Sequence, residues 1–162
     1  MSAEARLAEL GLELPPAPKP MANYVTAVRQ GNLLYVSGHG PLRSDGTLHT
    51  GRVGDDLDLH EGYQAARQTG LAVLATLKHH LGSLDHVARV IKVLGMVNCT
   101  HDFPDQPKVI NGFSDLMVEI FGDPGRGARS AVGMGSLPGN IAVEVEAIFE
   151  VEELADQPAS LM

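Results

Sequence analysis

The sequence predicts an α+β fold: a sheet with two helices on one face, in the order β-β-α-β-α-β-β. Three observations point to it. Short β-branched runs, bounded by turn residues, occur toward both ends of the chain. Two longer stretches repeat apolar residues at helical spacing. Glycine- and proline-containing turns separate these segments. The 162 residues fit one domain with a substantial core, and 44% apolar with 20% charged residues is ordinary for a globular protein.

Residues Ser2 to Leu10 read as a short helix that Ser2 can cap, with Ala5, Leu7, Ala8 and Leu10 as a weak apolar side and Gly11 as its end. Leu14-Pro15-Pro16-Ala17-Pro18-Lys19-Pro20 follows as a stiff extended connector, because proline fixes φ and cannot donate to a ladder. Residues 1–22 therefore form an N-terminal helix and Pro-rich connector, and residues 23–152 the single main domain. Tyr24–Val28 and Leu33–Ser37 read as two strands joined at Gln30-Gly31-Asn32. Gly38-His39-Gly40-Pro41 ends the second strand, and a polar loop follows through Arg52 to Asp56.

Asp58, with Glu61 three residues on, forms a capping box at the start of the first long helix. Tyr63, Ala66, Gly70, Leu74, Leu77 and Leu81 repeat along it, and Gly82 can close it. Val90–Val97 is apolar and β-branched enough for a buried strand. Pro107 suits the first turn of a second helix, in which Val109, Phe113, Leu116, Met117 and Ile120 line one side before Gly122. The last structured region reads as a hairpin of a strand around Arg129 and a strand from Val143, turned at Pro138-Gly139-Asn140. Val143, Val145, Ala147 and Phe149 then point one way, Glu144 and Glu146 the other. Residues 153–162 read as a flexible polar tail. Two helices cover only one sheet face, so the other predicts self-association.

The formal net charge of -8 argues against nucleic acid or anionic membrane as partner, because phosphate affinity comes from clustered Lys and Arg. Cys99 is the only cysteine, so no internal disulfide is possible and a reducing cytoplasm is the natural compartment. No apolar run is long enough to span a bilayer, and no basic segment precedes an apolar signal core. No Cys/His cluster has metal-ligand spacing, and His60-Glu61 lacks the second histidine of a zinc-protease motif. Gly125-Arg126-Gly127 and Gly133-Met134-Gly135 are not placed between a strand and a helix as phosphate loops require. Neither a metal nor any other cofactor is expected.

The chemistry-bearing candidates lie at strand ends. Arg129 follows a glycine-rich turn and precedes the small residues Ser130 and Ala131, which leave room for a ligand and expose backbone N–H groups. An arginine on rigid backbone suits a small carboxylate, since its planar fork makes two parallel hydrogen bonds. Glu144 or Glu146, brought near Arg129 by the inferred hairpin, can orient or activate a water. Alternatively both glutamates are alternate charges on a solvated strand face. Tyr24 offers a phenol at a strand end, and His39, between two glycines, is a candidate pocket-lining residue.

These residues resemble the Rid family, the YjgF-type reactive-intermediate deaminases also labelled endoribonuclease L-PSP. The resemblance rests on Tyr24-Val25, Val36-Ser37-Gly38, Ala128-Arg129-Ser130, Leu137-Pro138 and Val143-Glu144-Val145-Glu146-Ala147, and covers roughly residues 23–151. The N-terminal helix and Val93–Asn98 resemble a longer subgroup of that family. The resemblance implies a chorismate-mutase-like fold and a homotrimer with clefts between subunits. It also implies hydrolysis of 2-imino acids, such as 2-iminopropanoate and 2-iminobutanoate, to 2-oxo acids and ammonia. Arg129 then grips the substrate carboxylate and Glu144 holds the attacking water. Tyr24, Ser37 and Gly38 line the cleft, Asn111 matches a cleft asparagine after a one-residue shift, and Ala131 contributes its backbone N–H.

The sequence departs from the family pattern at Gly127, where proline is usual, at Ala131, where cysteine is frequent, and at His39, where glutamine is usual. A non-catalytic trimer that binds a small carboxylate is the alternative, and a ribonuclease is a third reading that the acidic charge opposes.

Overall fold

A computed structural model describes residues 1–153. Helix α1 spans Ala3–Glu9, with Ser2 Oγ accepting from Ala5 N. Strands β1 (Ala27–Gln30) and β2 (Leu33–His39) form an antiparallel hairpin. Helix α2 (Leu59–Leu81) carries the expected capping box: Asp58 accepts from Glu61 N, and Glu61 accepts from Asp58 N. Strand β3 (Val87–Asn98), helix α3 (Gln106–Phe121), strand β4 (Ala128–Met134) and strand β5 (Val143–Val151) complete the chain. Of the tail expected to be flexible, residues 154–162 lie outside the described residues.

The five strands form a mixed sheet in the order β1-β2-β5-β3-β4. This is the predicted α+β architecture, with α2 and α3 side by side on one face. The two helices bury the stripes read from the sequence: Ala66, Leu74, Leu77 and Leu81 on α2, and Val109, Phe113, Leu116, Met117 and Ile120 on α3. Gly70 and Gly112 let the helices approach, since a β-carbon on either would collide with the facing helix. Outside that seam, Arg67 reaches Glu119 with both guanidinium nitrogens, at 3.1 and 2.7 Å, and Tyr63 Oη donates to Asp115 at 2.7 Å. The sheet supplies Leu34, Val36, Val93, Val97, Val143, Val145 and Phe149 to the same core.

The topology corrects one expectation. The strands that bear Arg129 and Glu144 are not hairpin partners. Strand β4 pairs in parallel with β3, and β5 pairs antiparallel with β3 on its other side. The Pro138-Gly139-Asn140 turn is real, with Gly139 and Asn140 at φ 62° and 57°, but it leads the chain past β3 rather than back along β4. The β3–α3–β4 unit is a parallel crossover, for which a helix of this length is the usual connection. Asn98, buried at the end of β3, fixes this passage: its Nδ2 donates to Gly51 O, Asn140 Oδ1 and Ile141 O at 3.1–3.2 Å.

Strand β1 also begins later than expected, leaving Tyr24 in the bends ahead of it. That segment is still tied to β2, because Ser37 N donates to Thr26 O and Ser37 Oγ to Val25 O. Helix α1 is docked rather than free. Lys78 Nζ and Leu84 N both donate to the Glu4 carboxylate, and Ala3 and Leu7 belong to the core.

Candidate functional site

Arg129 lies near the start of the edge strand β4, opposite Val93. Its side chain turns to the helix face, where Nη1 donates to Asn111 Oδ1 at 2.8 Å and to Ser114 Oγ at 3.2 Å, both on α3. Asn111 and Ser114 are three residues apart and so share a helix face. Both bonds use Nη1, which leaves Nε and Nη2 without a protein partner among the described residues. Those two donors are a planar pair spaced for a carboxylate. Ala131, two residues on, shares the face of Arg129 and is half-buried against the core.

Glu144 projects from the opposite face, away from the core residues Val143 and Val145. It lies over Gly38: a β-carbon there would collide with Glu144 Oε1. Partial burial, with the neighbouring Glu146 carboxylate as the smaller cause, raises the Glu144 pKa above the ordinary carboxylate value. Ser37 shares this side of the sheet with Glu146. Both border an open hollow of about 470 Å³, to which Val28, Tyr35, Lys92 and Leu94 also contribute. Lys92 Nζ donates to Ser130 Oγ at 3.0 Å across its rim. Tyr24 is 45% exposed, and its hydroxyl accepts from Met21 N at 3.4 Å.

His39 differs from its expected place as a pocket-lining side chain. Strict alternation from Ser37 would put it on the open face. The β2–β5 register instead runs Val36↔Ala147 and then His39↔Val145, so three steps on β2 match two on β5. This extra residue is a β-bulge at Ser37-Gly38, and it turns His39 back into the core, where it is 4% exposed. Its Nδ1 donates to Ser37 O at 2.6 Å, since a carbonyl only accepts, and Nε2 accepts from Thr76 Oγ1 at 2.7 Å. Burial keeps its pKa below the ordinary imidazole value.

The structure therefore brings the site residues together as two groups. Arg129, Asn111, Ser114 and Ala131 form one, and Glu144, Gly38 and Ser37 the other. The two groups lie on opposite faces of the sheet. With β3 between their strands and three residues of offset along them, their Cα atoms are roughly 14 Å apart at standard strand spacings. Ser114 was not singled out by sequence; only its i+3 spacing from Asn111 marks it. Among the described residues, no group of three or more His, Cys, Asp or Glu is placed to hold a metal ion, and no helix is long and apolar enough to cross a membrane.

Comparison with known proteins agrees with this architecture. The family model described as "YjgF/chorismate mutase-like, putative endoribonuclease" matches residues 4–151. Protein TCP17 of Trypanosoma cruzi is 44% identical over 148 residues, which is 91% of this chain and 92% of that protein. A 2-iminobutanoate/2-iminopropanoate deaminase of Dermatophagoides farinae is 32% identical over 142 residues, covering 87% of this chain and 95% of the other. Among solved structures, a protein of unknown function from Agrobacterium tumefaciens is 47% identical, with a TM-score of 0.86 over 93% of this chain and 92% of that one. With its predicted element order, its Arg129 and Glu144 strands and a family match over nearly its whole length, the chain belongs to the YjgF/Rid family.

Proposed function

We propose that this protein hydrolyses small 2-imino acids to 2-oxo acids and ammonia, in clefts between the subunits of a homotrimer. The observation that carries the reading is Arg129: a guanidinium held through Nη1 by Asn111 and Ser114, with its Nε/Nη2 edge open for a carboxylate. The deaminase relative, at 32% identity, supports the same substrate class. The open sheet face, with Val28 and Tyr35 exposed on it, supports burial against another copy. Because Arg129 and Glu144 lie on opposite faces of one chain, a complete cleft takes Arg129, Asn111, Ser114 and the Ala131 N–H from one subunit. Glu144, Gly38, Ser37 and Tyr24 come from its neighbour.

In that cleft Arg129 binds the carboxylate and fixes the position of the C=N carbon. Glu144 accepts a proton from water as the water oxygen adds to that carbon, and the imine nitrogen is protonated. The resulting tetrahedral carbinolamine collapses: its hydroxyl proton passes by way of Glu144 to the amine nitrogen, the C–N bond breaks, and ammonia departs from the 2-oxo acid. A carboxyl group whose pKa is raised by burial is suited to taking and returning that proton.

The test is release of ammonia and 2-oxo acid from freshly generated 2-iminobutanoate, comparing wild type with Arg129→Ala and Glu144→Gln. Acceleration by the wild type that both variants lose is the expected result. Saturable 2-oxobutanoate binding without acceleration would replace the proposal with the carboxylate-binding reading.

A further inference from the structure

We propose that His39 is a positioning residue, which pins the Ser37-Gly38 bulge to helix α2 and so fixes the surface on which the Glu144 carboxylate rests. The inference depends on the reading of Glu144 given above. A bulge leaves one residue of a strand without a cross-strand partner and locally weakens the ladder. Here the weak point lies directly beneath Glu144, whose Oε1 occupies the space above Gly38.

His39 bridges that gap from the other side of the sheet. Its Nδ1–H closes back on Ser37 O at 2.6 Å, spanning the bulge within its own strand. Its Nε2 accepts from Thr76 Oγ1 at 2.7 Å, in the C-terminal third of the 23-residue helix α2. Thr76 and His39 are both buried, at 1% and 4% exposure, so neither bond competes with bulk water. The result is a continuous path of contacts: α2 backbone, Thr76 hydroxyl, His39 ring, Ser37 carbonyl, Gly38, Glu144. The titratable group that faces His39 is His80, also on α2, and its Nε2 is engaged by Thr26 Oγ1 at 2.9 Å. Thr26 O accepts from Ser37 N, so the second histidine braces the same bulge through β1's approach segment. One ring nitrogen is directed at the bulge and the other at helix α2, so the imidazole links the ground beneath Glu144 to a rigid element.

The experiment reads Glu144 directly. The side-chain carboxyl of Glu144 is titrated by carbon-13 NMR in the folded wild type and in His39→Ala, His39→Asn and Thr76→Val. Turnover of 2-iminobutanoate and thermal melting are measured alongside. In His39→Ala the Glu144 titration is expected to move down toward the ordinary carboxylate range, as the bulge relaxes and admits water. The kcat is expected to fall about 10- to 100-fold with little change in KM, the signature of a misplaced catalytic group rather than lost binding. His39→Asn keeps a donor near Ser37 O and should recover much of the titration shift. Thr76→Val, which removes only the hydroxyl, should move it in the same direction as His39→Ala by a smaller amount, and it decides the matter if His39→Ala does not fold. An unmoved Glu144 titration in folded variants overturns the proposal. Because that titration does not depend on turnover, it also separates failure of this proposal from failure of the imine-hydrolysis reading.

Discussion

Glu144 rests on Gly38 so closely that the glycine has no room for a β-carbon: Oε1 of the carboxylate occupies that space. The contact ties an acidic group on β5 to a bulge in β2, and it makes one glycine's missing side chain part of the site.

Gly38→Ala is therefore expected to fold but to push the Glu144 carboxylate aside. The loss of stability should be small, about 1 kcal/mol or less, because what gives way is the far end of a flexible glutamate side chain. Turnover should drop about tenfold or more, as for a misplaced catalytic group. A crystal structure of the variant with Glu144 in its original position and full activity would refute this.

Glu144→Gln separates function from stability. Burial raises the carboxyl pKa in the folded state above its unfolded value, so the folded state prefers the protonated form. The stabilisation is fully present below the unfolded pKa and is lost as pH rises through the folded one. At pH 7 the charged carboxylate is thus a burden that glutamine removes. The variant should lose turnover while melting higher than wild type at pH 7, with the gap closing toward pH 4. Differential scanning calorimetry across that range checks it.

Asn111→Ala and Ser114→Ala each remove one support from Arg129 while leaving its charge. Asn111→Ala is expected to be the more damaging, because its bond is shorter, 2.8 against 3.2 Å. Each should weaken 2-oxobutanoate binding, by about 1 kcal/mol for a single lost hydrogen bond. Arg129→Lys should weaken it further, because an ammonium cannot present a planar pair of donors. Isothermal titration calorimetry of the four proteins ranks them.

His39, His49 and His80 all have pKa values lowered by burial. The unfolded chain takes up protons on these rings before the folded one does. Their contribution to stability is thus present above the ordinary imidazole pKa and is lost as pH falls through it toward the depressed folded values. Wild type should lose melting temperature between pH 7 and pH 5, and His39→Gln should show a shallower slope over that interval. Parallel slopes would mean that His39 takes up its proton without cost to the fold.

Asn98→Ala should be the most destabilising polar substitution outside the site. Its amide donates to three acceptors where the chain passes β3, and the variant leaves the buried carbonyls of Gly51 and Ile141 without that donor. A loss of about 2–4 kcal/mol follows from the cost of buried unsatisfied groups, readable by urea denaturation.

What the sequence made legible was local. The stripe from Ala66 to Leu81, the capping box at Asp58 and Glu61, and the alternation of Val143–Phe149 with Glu144 and Glu146 each follow from a period or a turn a few residues long. The pairing of β4 with β3 was not legible. It is non-local, and the Pro138-Gly139-Asn140 turn has hairpin chemistry although it joins strands that are not neighbours. His39 was misplaced for a related reason. An alternation read from Ser37 is correct only if no residue has been inserted, and a bulge leaves no composition signal beyond one glycine. Ser114 went unnoticed because a serine in a helix has no distinguishing pattern until the arginine above it is located.

The bulge also turns the assignment of faces along β2 into a matter of counting. Leu34 and Val36 face the core on even numbers, and after one extra residue His39 faces it on an odd one. Removing either Ser37 or Gly38 would abolish the bulge and leave a single residue opposite Glu146, so His39 would stay opposite Val145 and face the core while the surface beneath Glu144 is lost. Point substitutions adjust what a position is. At this strand one extra residue reconciles an odd-numbered histidine with a core face set by even-numbered neighbours, so segment length here constrains residue choice as strongly as chemistry does.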